Sequence, residues 1–117
     1  MLDTFYYGEA HRISPEAPIP ILHVTKMTQT LGGAGNVANN LRALGVKTSL
    51  VGSIGNDEAR RKLKGILTQK GIEDDGLVIS SATQTIVKNR YIAQDQQLLR
   101  VDFEETRGVE ASVLNAL

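Results

Sequence analysis

Cysteine and tryptophan are absent from the 117 residues, and aromatic residues make up only 4% of the chain. Without a thiol there is no disulfide, no thiolate nucleophile and no cysteine metal site. With so few rings a core must be packed from Leu, Ile, Val and Ala, and 41% hydrophobic content is enough for one modest domain. Charge of one sign is missing too: 13 basic and 13 acidic residues give a formal net charge of zero, and no block of like charge occurs. That leaves no electrostatic footprint for nucleic acid or an anionic membrane. No apolar run approaches the about 18 residues of a membrane-crossing helix. Met1-Leu2-Asp3-Thr4 does not follow the basic-then-apolar order of a signal peptide, so a cytoplasmic protein is expected. His11 and His23 stand apart from any Asp, Glu or Cys at ligand spacing, so no metal site is expected.

Glycine, by contrast, is concentrated. Gly32, Gly33 and Gly35 lie within four residues and open a helical pattern that ends at Gly45. Val37, Leu41 and Leu44 fall at helical spacing, which predicts a stripe facing a core while the glycine turn points outward. The product is a ligand-sized notch at a helix N-terminus, with Asn36 as the first polar side chain beyond it. A tight turn needed only for packing explains the same pattern equally well. Residues 33–38 also fit a dinucleotide fingerprint, but that motif wants a buried apolar strand before its glycines, and Lys26-Met27-Thr28-Gln29-Thr30 is polar.

Around this centre the periodicity divides the chain. Residues 1–17 are mixed, with Phe5-Tyr6-Tyr7 as the aromatic cluster and Ser14-Pro15-Glu16-Ala17-Pro18 as a turn-rich connector. A strand over about 18–28 follows, and its prolines assign it to a sheet edge. Residues 33–80 then read as helix, strand, helix, strand. The second helix is capped at Asn56-Asp57, carries Ala59, Leu63, Ile66 and Leu67 on its inner face and stops at Gly71. Strand, helix, strand with short links predicts a parallel βαβ unit. From Thr83 the period becomes two, giving strands over about 84–94 and 97–104 around Gln94-Asp95-Gln96. Lys88, Arg90, Arg100 and Asp102 share the polar face of this hairpin. With the strand near residue 21 it predicts a small sheet lying over the α/β part as a lid. Residues 110–117 begin another helical pattern, and the whole reads as one domain.

Three blocks carry a resemblance: the glycine stretch with Gly45 and Gly55 after it, Arg12-Ile13-Ser14-Pro15-Glu16-Ala17-Pro18-Ile19-Pro20, and residues 96–105. Together they resemble the ribokinase-like (PfkB-type) sugar kinases, and within that family the heptose 7-phosphate kinase domain of ADP-heptose synthases. The resemblance implies a partial ribokinase-like α/β fold, with a parallel βαβ unit and a small β-sheet lid. It implies transfer of the ATP γ-phosphate, assisted by magnesium, to the anomeric hydroxyl of D-glycero-beta-D-manno-heptose 7-phosphate in the lipopolysaccharide core pathway. Asp3, Gly32, Gly33 and Asn36 would hold sugar hydroxyls; Arg90, and less directly Arg100, would meet the substrate phosphate. Without the resemblance those arginines read as an exposed ion-pair lattice, worth well under about 1 kcal/mol per pair. Lid strands imply a homodimer.

The family's catalytic base and anion-binding turn lie in a Gly-Ala-Gly-Asp block, and here Gly33-Ala34-Gly35 is followed by Asn36, which is no carboxylate base. The expectation is therefore the sugar-binding, lid-bearing portion of a kinase, shortened at both ends. It is expected to be inactive alone, with no tight site for ATP or magnesium. Two further readings stay open: a non-catalytic binding or interaction module, and a dinucleotide-binding half-domain.

Overall fold

The computed structural model describes residues 1–105 together with Val113 and Asn115. Apart from those two residues, the helix expected over 110–117 lies outside the described part.

The first element is one that periodicity did not reveal. Residues assigned no structure form a 12-residue strand, β1 (Leu2–Ile13). Its Thr, Phe and Tyr residues suit a pleated surface, but rings stand on both faces at Phe5, Tyr6 and Tyr7, so no apolar-polar alternation marks it. β2 (Pro20–Leu31) returns antiparallel, from Ile13 opposite Pro20 to Leu2 opposite Leu31, with irregularities between Tyr7 and Gly8 and between Glu9 and Arg12. Any side chain at Gly8 would overlap the carbonyl oxygen of His23, so the ribbon closes there only around a glycine.

β5 (Val87–Ala93) and β6 (Gln96–Phe103) form the expected hairpin, and the sheet runs β2-β1-β5-β6. Gln94 and Asp95 both take positive φ, 49° and 65°, which fits a two-residue turn between twisted strands. β2 sits at the sheet edge, and of the two prolines that led to this expectation only Pro20 lies within the strand, at its first residue. It does not pair with the hairpin, because β1 lies between them, antiparallel to β2 and parallel to β5.

The α/β part holds helix α1 (Ala34–Ala43), then β3 (Ser49–Gly55), helix α2 (Glu58–Lys70) and β4 (Glu73–Ser80), with β3 and β4 parallel. Leu31, Ala38, Leu63, Leu67 and Ile72 form the core, against which Leu50, Ile66 and Leu77 pack. The inner face expected for α2 is the one observed.

For α1 the expectation fails. Val37, Leu41 and Leu44 are 58%, 40% and 80% exposed, while Gly35 and Ala38 are buried. A Cβ at Gly35 would lie 3.0 Å from the Leu31 Cβ, so α1 approaches β2 too closely for branched side chains and turns its smallest residues inward. Among the described residues the apolar stripe is left outside the core cluster.

α2 is fixed at both ends. Asp57 Oδ1 accepts from the Arg60 N–H at 2.8 Å, Oδ2 accepts from the Thr85 N–H at 2.7 Å, and Gly71 closes the helix at φ 66°. Burial raises the Asp57 pKa, but those N–H bonds outweigh it and hold the carboxyl below its ordinary value. A depressed native pKa contributes stability above the unfolded carboxylate range, and that contribution is lost as pH falls through and below about 4. Asp57→Ala should therefore cost about 1–2 kcal/mol at pH 7. In urea melts the deficit should shrink at pH 3; a deficit independent of pH would deny the carboxylate its capping role.

Candidate functional site

Alternation along β1 sends Leu2, Thr4 and Tyr6 to one face of the four-stranded sheet and Asp3, Phe5 and Tyr7 to the other. Register carries the second set across the sheet: Asp3 stands opposite Lys88 and Phe5 opposite Arg90 on β5, while Lys88 and Arg90 stand opposite Asp102 and Arg100 on β6. One face thus gathers Asp3, Phe5, Lys88, Arg90, Arg100 and Asp102.

Arg90 Nη1 donates to Asp3 Oδ1 at 2.6 Å, joining residues 87 apart in sequence. Both side chains are largely covered, 20% and 13% exposed, so the pair is screened less than a surface ion pair. The Arg90 guanidinium also lies over the Phe5 ring, 5.2 Å from its centroid. The other Asp3 oxygen faces Gly32, where a Cβ would come within 2.6 Å of Oδ2. Gly32 is buried and its N–H donates to the Met1 carbonyl at 3.0 Å. Gly33 follows at φ 55° as the N-cap of α1, a backbone state that favours glycine.

The structure therefore brings together Asp3, Gly32 and Arg90, with Gly33 next in the chain. Asn36 is exposed in the first turn of α1, and no hydrogen bond joins its side chain to the others among the described residues. Arg100 belongs to a neighbouring cluster: its Nε donates to Asp102 Oδ1 at 2.9 Å, and its side chain is half exposed. Lys88 donates to Asp102 at 2.6 Å and to Glu104 at 3.1 Å. Those bonds, Asp102 first, hold the Lys88 pKa above its ordinary value; Lys88 in turn, with Arg100, holds Asp102 below the usual carboxylate range.

Phe5, under Arg90, escaped sequence reasoning because β1 did. Its signal was the odd spacing of Asp3, Phe5 and Tyr7, legible only once a strand is assumed.

The other face of β1 borders a cavity of about 330 Å³ lined in part by Thr4, Tyr6, Gln29, Asp57, Lys62 and Asn89. It is separated from Asp3 and Arg90 by the sheet itself. Among the described residues the glycine turn is not part of a parallel βαβ unit: β2, which precedes it, is an antiparallel edge strand, and β3, which follows α1, pairs with β4 in a separate sheet. The fingerprint requires a strand, turn and helix within a parallel βαβ unit.

Among the described residues there is no cluster of three or more His, Cys, Asp or Glu side chains placed to hold a metal ion. None of the helices described is long and apolar enough to cross a membrane.

The profile of the pfkB family carbohydrate kinases matches residues 3–110. The chain is 47% identical over 117 residues to the bifunctional protein HldE of Caulobacter vibrioides, covering 99% of this chain and 24% of that protein. It is 44% identical over 105 residues to the D-beta-D-heptose 7-phosphate kinase of Bordetella bronchiseptica, covering 90% of this chain and 33% of the kinase. It thus spans a quarter to a third of these relatives' length. Among solved structures, the ribokinase of Cryptococcus neoformans in complex with ADP aligns with TM-score 0.60 at 26% identity, covering 87% of this chain and 31% of the other. A carbohydrate kinase from Agrobacterium tumefaciens aligns with TM-score 0.66 at 18% identity over 87% of this chain and 32% of its own, a likeness of fold.

Proposed function

This chain belongs to the pfkB family of carbohydrate kinases, and from that premise we propose that it is the sugar-binding and lid portion of a kinase that phosphorylates D-glycero-beta-D-manno-heptose 7-phosphate at the anomeric hydroxyl. The observation that carries this reading is the convergence of Asp3, Gly32 and Arg90 at the N-terminal turn of α1, in a chain 44% identical to a heptose 7-phosphate kinase. Asp3 Oδ2 is the acceptor for a sugar hydroxyl, and the missing side chain of Gly32 lets the carboxylate lie directly against the glycine turn. Arg90 keeps donors beyond Nη1, which suit two oxygens of a phosphate. Gly33 and Asn36 complete the sugar contacts, and Arg100 lies further out.

Phosphoryl transfer also needs a base and a cradle for nucleotide phosphates. In this reading ATP and magnesium are held by the complete kinase, and the 117 residues alone bind sugar without turning over ATP. The complete kinase would act in the cytoplasm, supplying the lipopolysaccharide core pathway. A homodimer through the lid strands is part of the same proposal. The apolar surface shared by Ile19, Leu22, Tyr91, Leu98, Leu99 and Val101 supports it.

Calorimetric titration of the folded chain with heptose 7-phosphate tests the reading. Saturable binding is expected, weakened about 10- to 100-fold by Asp3→Asn, the equivalent of one charge-assisted hydrogen bond. A chain that is folded by circular dichroism and gives no binding heat would sink the proposal.

A further inference from the structure

Phe5 and Arg90 are register partners across the parallel β1–β5 pair, so their side chains leave the same face of the sheet. Two contacts define where the guanidinium lies: Asp3 Oδ1 at 2.6 Å from Nη1, and the Phe5 ring with its centroid 5.2 Å from Cζ. One hydrogen bond to one nitrogen leaves an arginine free to rotate about that bond. A ring against the guanidinium removes that freedom, because the cation is attracted to the negative face of the π-system. The ring is itself held: Phe5 stacks with Tyr7 at 6.2 Å and 13° between planes, and Lys26 lies 5.7 Å over Tyr7. Arg90, Phe5, Tyr7 and Lys26 thus form a continuous ladder of cations and rings along β1.

We infer that Phe5 is a positioning residue, which fixes the plane of the Arg90 guanidinium while Asp3 holds its edge, and so sets a preference for phosphorylated over unphosphorylated sugar. The second half of this inference rests on the proposed sugar-phosphate function; the first half stands on geometry alone. Leucine at this position would keep apolar volume but offer no π-face, whereas tyrosine would keep the face.

The test compares the full chain with Phe5→Leu and Phe5→Tyr. In ¹H–¹⁵N spectra the Arg90 Nε–H resonance should move out of the ring-current field in Phe5→Leu and stay near its original position in Phe5→Tyr. In titrations, Phe5→Leu should lose about 3- to 10-fold affinity for heptose 7-phosphate, with unphosphorylated heptose unaffected and Phe5→Tyr restoring the difference. An Arg90 resonance unmoved in Phe5→Leu would overturn the positioning role. Equal weakening toward both sugars would reduce Phe5 to a packing residue and overturn the preference. If the unaltered chain binds neither sugar, the functional reading fails and takes the preference with it, while the Arg90 resonance still decides the placement.

Discussion

Gly32→Ala is expected to disable the site from a position that carries no functional group. The new Cβ would stand 2.6 Å from Asp3 Oδ2 and 2.8 Å from Asp3 Cγ, well inside van der Waals contact. A flexible carboxylate would step aside at little cost, but this one is held by Arg90 at 2.6 Å. The methyl group therefore displaces Asp3 and breaks the ion pair, leaving two largely covered charges without their partner. The expected loss is about 2–4 kcal/mol of folding stability, below the full cost of an uncompensated buried charge because both groups keep some water. Heptose 7-phosphate binding should fall by about 100-fold or more. A double-mutant cycle with Asp3→Ala isolates the mechanism: the stability cost of Gly32→Ala should largely vanish once the carboxylate is gone. Unchanged cost in the Asp3→Ala background would mean that the clash acts through Met1 instead, whose Cε the new Cβ would also approach to 2.6 Å.

Leu67→Ala is expected to have a comparable effect on stability and none specific to the site. Leu67 is fully buried, and with Leu63 it fills the space between α2 and the Leu31, Ala38 and Ile72 side chains. Truncation removes the transfer free energy of three carbons and leaves a cavity in the core cluster, at about 2–5 kcal/mol. For a chain of this size that corresponds to a fall in Tm of roughly 10 °C or more. Thermal melts followed by circular dichroism check this; a loss below about 1 kcal/mol would place the stabilising core elsewhere. Leu41→Ala, on the exposed side of α1, is the control and should change Tm little.

Much of this arrangement was legible in the residues. The α2 inner face, its Asp57 and Gly71 ends and the β5–β6 hairpin follow from period and turn chemistry alone, because each is decided within a few residues. β1 escaped because aromatic residues occupy both of its faces. α1 misled because its apolar stripe is real but does not face the core: the helix approaches β2 through Gly35 and Ala38, and how closely two backbones pack is a tertiary property. The site was half legible. Gly32, Gly33, Asn36, Arg90 and Arg100 stood out as candidates by glycine density and alternation, and Asp3 only through the family resemblance. That Asp3 and Arg90 form an ion pair, while Arg100 answers to Asp102, depends on the strand order.

That order has a kinetic consequence. Asp3 and Arg90 meet only when β1 pairs with β5, after the chain has completed an excursion through β2, α1, β3, α2 and β4. The β1–β2 ribbon can form from neighbouring residues, but the ion pair closes a loop of 87 residues, whose entropy must be lost before the contact forms. The two halves of the site are therefore expected to stay separate until late in folding, with the charged notch arising together with the four-stranded sheet. In a folding experiment sugar binding should appear with the slowest phase, well after the α2 helix signal is complete.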